Sequence, residues 1–247
     1  MWTRAILKSN AKAAIKKNYV NVVVVSLIFS FISGAFSSSS AGNRGAFSFT
    51  SGNLSENVIA FLTLVTGILI VIVVMGILLH IFLLNPLQVG VQKFFIDNHY
   101  SNPGIGSIGF AFKTNYLNVV KTMFLADIYL ILWSLLLVIP GIIKGYSYRL
   151  VPYILADNPD MSSDDAITLS REMMDGHKFN TFILDVSFIL WWFLSIITFN
   201  IAGIFYVFPY VYSTNAELYL AIKYGSTDNN ESSFNNNPYN NSGDYYG

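Results

Sequence analysis

"IPGIIKGYSYRLVPYILADNP", Ile139 to Pro159, is the stretch on which the fold turns. Most of its positions suit a bilayer, yet it carries Lys144 and Arg149 between Pro140 and Pro152. If it stays outside the membrane, the chain has five spans, and Lys144, Arg149, Arg171 and Lys178 fall opposite the N-terminal lysines. That violates the bias of cations toward the cytoplasmic side. If residues 141–156 cross, then both termini and the 85–118 and 157–178 segments face the cytoplasm, and Arg44 is the sole cation of an outer loop. The crossing is therefore expected, with Pro140-Gly141 as a tight outer turn and a kink at Pro152.

Composition supports a membrane setting. Apolar residues make up 53% of the 247 and charged residues only 11%, too few to cover a water-soluble domain of this length. Lys plus Arg equals Asp plus Glu at 14 each, which excludes the broad basic footprint of a nucleic-acid binder. The absence of cysteine excludes thiol nucleophiles, disulfides and cysteine-based zinc sites.

Outward from the opening stretch, the expected fold is all-α, a polytopic transmembrane bundle of about six membrane-embedded helices with short cytoplasmic amphipathic helices. The other spans are Val20 to Phe36, Val58 to Leu84, Val119 to Ile139, Phe179 to Phe199 and Ile201 to about Ile222. Ser33 and Ala35 imitate a signal-peptide cleavage site, but the long charged region before them and the apolar runs after them favour a span. Leu87 to Asn118 reads as a short amphipathic helix followed by a loop punctuated by Gly and Pro. The last two spans form an antiparallel hairpin around "FNIAG". Three regions result: a basic amphipathic helix over 1–18, a transmembrane domain over 19–224, and an Asn-rich disordered tail over 225–247.

In the N-terminal region Arg4, Lys8, Lys12 and Lys16 recur every fourth residue, lining one side of a helix. They suit anionic inner-leaflet lipids, each cation contributing about 1 kcal/mol near such a surface. A plain positive flank that orients the first span is the competing reading.

Depth arithmetic places a candidate polar cluster in the membrane. At about 1.5 Å per residue, Arg149, Asp185 and Glu217 each lie about 10 Å from the inner end of their helices. His80 is the only ionisable residue of the second span and joins them near the inner boundary. Charges in hydrocarbon face the bundle interior and pair, so the four residues are read as a polar pocket for a headgroup, ion or proton, or as structural ion pairs.

Other motifs favour structure over chemistry. Asp157, Asp160, Asp164 and Asp165 lack the calcium-loop pattern, and Ser162 suits a helix N-cap with Gly176 at the far end. Ile167, Ser170, Met173 and Met174 share one side of that helix and form its packing face. His80, His99 and His177 lack metal-ligand spacing, and neither a nucleophile elbow nor a phosphate-binding glycine loop occurs. No cofactor, metal site or catalytic residue is expected. Gly141 and Gly145 form a small-xxx-small pair.

"LWSLLLVIPGIIKGYSYRLVPYILADNPD" (132–160), "AITLSREMMDGHKFNTFILDVSFILWW" (166–192) and "YVFPYVYSTNAELY" (206–219) together resemble a bacterial integral-membrane family known as domain of unknown function 975. "LKSNAKAAIKKNYV" and "NPLQVGVQKFF" fit the same pattern more loosely. The resemblance implies a multi-span membrane protein and supplies no agreed activity or catalytic residues. The expected role is a non-enzymatic scaffold or envelope-associated protein of the cytoplasmic membrane, both termini cytoplasmic, contacting lipids and membrane-protein partners. A transporter or lipid- and ion-binding protein using Arg149, Asp185, Glu217 and His80 is one alternative, and a lipid-modifying enzyme is another.

Overall fold

The computed structural model describes residues 2–37 and 56–235, and every regular element among them is helical. The outer loop with Arg44 and the end of the Asn-rich tail lie outside the described residues. Helix α1 (Arg4–Lys17) starts at Thr3, whose hydroxyl accepts the Ile6 amide at 3.3 Å. Its i, i+4, i+7 stripe of Leu7, Ala11 and Ala14 is buried, so the helix packs through its apolar side and keeps Arg4, Lys12, Lys16 and Lys17 exposed. Helix α2 (Tyr19–Ser37) leaves α1 at 108°.

Helix α3 (Glu56–Leu79), a π turn (His80–Leu84) and α4 (Asn85–Tyr100) follow without a break, and Phe61–Tyr100 forms one 40-residue helix. At about 1.5 Å per residue this rod is about 60 Å long, twice the hydrocarbon core. Its halves have different solvents. The apolar window in its α3 portion has no buried residue, whereas α4 is enclosed at nearly every position from Val89 to Ile96. The short amphipathic helix expected at the start of 87–118 is thus the central helix of the core. Its polar residues mislead because they are bonded inside: Asn85 Nδ2 donates to Asp127 at 2.8 Å and Asn98 Nδ2 to the Ala14 carbonyl at 3.0 Å. Gly90 lets the returning chain touch α4, since a Cβ there would collide with the Ile108 carbonyl.

After a 3₁₀ turn (Ile105–Gly109) and the short α5 (Phe110–Lys113), α6 (Tyr116–Leu136) and α7 (Val138–Tyr148) form a hairpin. The turn falls at Leu137, whose φ of −158° and ψ of 142° break the helix, so Pro140 lies inside the first turn of α7 and the expected Pro140-Gly141 turn comes too late. A Cβ on Gly141 would lie 2.8 Å from the Ser134 Cα, and one on Gly145 3.6 Å from Leu130, so both small residues face α6. Arg149 and Leu150 interrupt the chain before α8 (Val151–Asp157), buried from Val151 to Ala156 and packed on α4.

Helix α9 (Ser163–Met173) is capped as expected: the Ser162 hydroxyl accepts the Asp165 amide at 3.2 Å, Asp164 and Asp165 occupy the first turn, and Gly176 follows at φ +71°. Ile167, Ser170 and Met174 are buried. Helices α10 (Lys178–Val186) and α11 (Ile189–Ile197) lead to a turn in which Phe199 and Asn200 adopt φ of 48° and 69°. A second π turn (Gly203–Val207) enters α12 (Phe208–Asn235), whose backbone runs into the Asn-rich segment.

Among the described residues, three helices are long and apolar enough to cross a membrane, or four if the bent α1–α2 pair is one span. Two of the six expected spans are not single apolar helices. Residues 141–156 are divided at Arg149 and half buried in the core, and 201–222 are divided between a π turn and the polar-bearing α12.

The two π turns share a pattern, Ile81-Phe82 four residues before Pro86 and Ile204-Phe205 four residues before Pro209. Proline lacks the amide that the carbonyl four residues back would receive. A tyrosine hydroxyl supplies the donor in both places, Tyr116 to the Phe82 carbonyl at 2.6 Å and Tyr19 to the Phe205 carbonyl at 3.0 Å. Tyr116→Phe is expected to destabilise the protein by about 1 kcal/mol. The loss should shrink when Pro86→Ala restores the helical amide, and equal losses in both backgrounds, measured by thermal unfolding, would refute this account.

Candidate functional site: a divided ion-pair network

The break between α7 and α8 frees the Arg149 side chain from the regular helical arrangement and points it at α10 and α12. Its guanidinium grips Asp185 with two nitrogens, Nη1 to Oδ2 at 2.5 Å and Nη2 to Oδ1 at 2.9 Å. This fork combines charge with planar geometry, the strongest form of such a pair. Nη2 also donates to Asn215 Oδ1 at 2.9 Å, and the Tyr146 hydroxyl donates to Asp185 Oδ2 at 3.0 Å. Two of the four residues expected at one level therefore meet.

The other two do not join them. Glu217 lies two residues beyond Asn215, a rotation of about 200° around α12, and faces α4 instead. There its Oε1 meets His99 Nδ1 at 2.7 Å with only 4% of the side chain exposed. His80, in the first π turn, sits 4.0 Å from Asp127, the carboxylate that Asn85 also holds. Further along α12, Asp157 at the end of α8 accepts from Tyr219 at 2.9 Å and from Lys223 at 2.6 Å. The expected single cluster is thus divided. Asn215, Glu217 and the Tyr219/Lys223 pair place contacts to α7–α10, α4 and α8 in succession along one helix.

A cavity of about 360 Å³ opens between α4, α6 and the α7–α8 break, with Asp127, Tyr146 and Arg149 in its wall. A second, of about 340 Å³, joins Lys144 to Thr168, Arg171, Glu172, Asp175 and Lys178. Among the described residues, no three His, Asp or Glu side chains converge as a metal site would require.

The basic row of α1 also divides. Lys8 donates to Ser187 Oγ at 2.7 Å and lies 4.3 Å from the centre of the Phe188 ring, and Lys12 lies 5.5 Å from the Tyr210 ring. Burial first, then the neighbouring Arg4 and Lys12 charges, pull the Lys8 ammonium below its ordinary pKa. Lys8 is committed to the protein, and Arg4, Lys12 and Lys16 remain on the open side together with Lys17.

Sequence reasoning set His99 aside because it lacks metal-ligand spacing. The available signal was a helical one: Asn215 and Glu217 stand two apart on α12 and must serve two different neighbours.

Described residues that are helical throughout, with three or four helices apolar enough to cross a membrane attached to a core held by internal ion pairs, define a helical protein suited to membrane association. The chain belongs to the family described as Protein of unknown function (DUF975), whose model matches residues 55–226. No curated protein and no solved structure matches it.

Proposed function

We propose that this protein is a non-enzymatic scaffold of the cytoplasmic membrane, with both termini cytoplasmic, that holds its helical body against the inner leaflet. The observation that carries this reading is the pairing of Arg149, Asp185, Glu217 and Asp157 within the chain, which commits these charges to holding helices together. The open cations Arg4, Lys12, Lys16 and Lys17 are then the surface offered to anionic lipid. In nanodiscs containing phosphatidylglycerol and phosphatidylethanolamine, native mass spectrometry of the full chain is expected to show retained phosphatidylglycerol. The Arg4→Gln, Lys12→Gln, Lys16→Gln, Lys17→Gln variant should lose that preference. An unchanged preference removes the lipid-contact role, and turnover of a lipid precursor by the purified chain removes the non-enzymatic one.

A second reading draws on the cavity between α4, α6 and the α7–α8 break. Asp127 and Arg149 carry opposite charges and line the same space of about 360 Å³, which suits the ammonium and phosphate of a zwitterionic headgroup. Asp127→Asn is expected to lower retention of phosphatidylethanolamine relative to phosphatidylglycerol in the same nanodiscs. Equal retention in both proteins would dismiss this reading and leave the scaffold role untouched.

A further inference from the structure

We infer that the α6–α7 hairpin and the hairpin formed by α11 and the second π turn are re-entrant: each enters the acyl chains of the inner leaflet from the side of α9 and returns to that side without crossing. The tips are made for hydrocarbon. From Ile131 to Ile139 every residue is exposed and only Ser134 is polar, with Leu135 83% exposed at the bend. At the second tip Phe199 is 94% exposed, flanked by exposed Ile196, Ile197 and Ile201, with Asn200 the one exposed polar residue of the turn. A turn reaching outer water would present polar residues to it, as loops do.

Several polar groups near both bends bond within the chain, as a medium without water favours. The Ser134 hydroxyl donates to the Leu130 carbonyl at 2.7 Å. In the second turn Ser195 Oγ donates to Asn200 Oδ1 at 2.6 Å, Thr198 Oγ1 to the Leu194 carbonyl at 2.9 Å, and the Ala202 amide to Thr198 Oγ1 at 3.1 Å. Gly203 permits this closure, because a Cβ there would strike both the Ser195 hydroxyl and the Asn200 amide oxygen.

The charged level below each tip is too close for a crossing. Lys144, seven residues after Leu137, shares a cavity with Arg171, Glu172 and Asp175 of the charged α9 region, which places the bend about 10 Å above that level. For the second hairpin, Lys8 binds Ser187 and Lys12 covers Tyr210, twelve and eleven residues from Phe199, about 18 Å at helical rise. Tyr19, two residues after Lys17, reaches the Phe205 carbonyl, six residues from the same tip. A crossing needs about 20 residues, or 30 Å, beyond the last water-facing charge. Lys12, Lys16, Lys17, Lys144 and Arg171 stand below the apolar tips, where they complement the phosphates of the leaflet that the tips enter. A re-entrant path leaves 85–118, 157–178 and the C-terminal segment on one side, just as two crossings would. The distribution of cations that argued for a fourth crossing supports this path equally.

The test uses the full chain, which has no cysteine, carrying single cysteines at Leu137, Phe199 or, as a reference, Glu172, in vesicles of phosphatidylethanolamine and phosphatidylglycerol. An impermeant maleimide is expected to label Glu172→Cys from one face and neither tip from either face, while spin labels at both tips collide with oxygen and lose collisions with a nickel chelate. Labelling of a tip from the face opposite Glu172 would establish a crossing and overturn the inference for that hairpin. Labelling from the same face at the rate of Glu172 would place the tip in water and overturn it too. Val138→Cys and Ile197→Cys repeat the measurement should a first variant not fold. Neither result depends on lipid preference, so the outcome stands apart from the scaffold proposal.

Discussion

Arg149→Met is expected to lower stability by about 3 kcal/mol, because it strands the Asp185 carboxylate among α7, α10 and α12 with only the Tyr146 hydroxyl to answer it. Adding Asp185→Leu should recover much of that loss, since removing both members of a desolvated pair removes the uncompensated charge. Arg149→Lys keeps the charge but not the fork that serves Asp185 and Asn215 together, so its effect should fall between wild type and Met. Thermal unfolding of the purified variants in one detergent reads all of these. The division of the network adds a sharper condition. Arg149 and Glu217 belong to different contacts, one with Asp185 and the other with His99, so the costs of Arg149→Met and Glu217→Leu should add. Strong coupling between them would restore the single cluster that depth alone suggested.

That contrast shows what the sequence made legible. Residue counting along a helix gives depth, and depth put Arg149, Asp185 and Glu217 at one level, of which the structure pairs Arg149 with Asp185. It gives no direction around the axis unless two reference residues are known, and Glu217 is turned about 200° from Asn215 toward His99. The Ser162 cap and the packing face of α9 were legible because both depend on local spacing. The burial of α4 was not. Asn85, Gln92 and Asn98 look like a solvated face, and only the tertiary partners of Asn85 and Asn98 reveal an interior. Hydropathy also registered the apolar character of 131–143 and 189–205 without reporting how far each hairpin rises above the nearest charge, which is a distance between segments remote in sequence.

Leu137→Asp carries the re-entrant reading into energetics. A carboxylate held at the bend of α6 and α7 would sit among acyl chains, and an acidic residue deep in hydrocarbon costs about 3 kcal/mol on insertion scales. Phe199→Asp should incur a similar cost at the second bend, where the exposed neighbours Ile196, Ile197 and Ile201 are apolar and no cation stands in the turn. Were either bend in outer water, the same substitution would be close to neutral, because exposed turns accept Asp readily. Stability should therefore be compared in bilayer nanodiscs, where the fixed thickness of the leaflet holds the tip at depth, and in micelles, where surfactant rearranges around a new charge. A large loss in nanodiscs that shrinks in micelles is the expected pattern. Leu137→Ser separates lost apolar contact from charge: its hydroxyl can bond back to the helix as Ser134 does to Leu130, so its cost should be a fraction of that of Asp. Equal, small losses for Ser and Asp at both bends would mean that neither tip is in hydrocarbon, and the helical body would then meet the membrane through α2, α3 and the cations of α1.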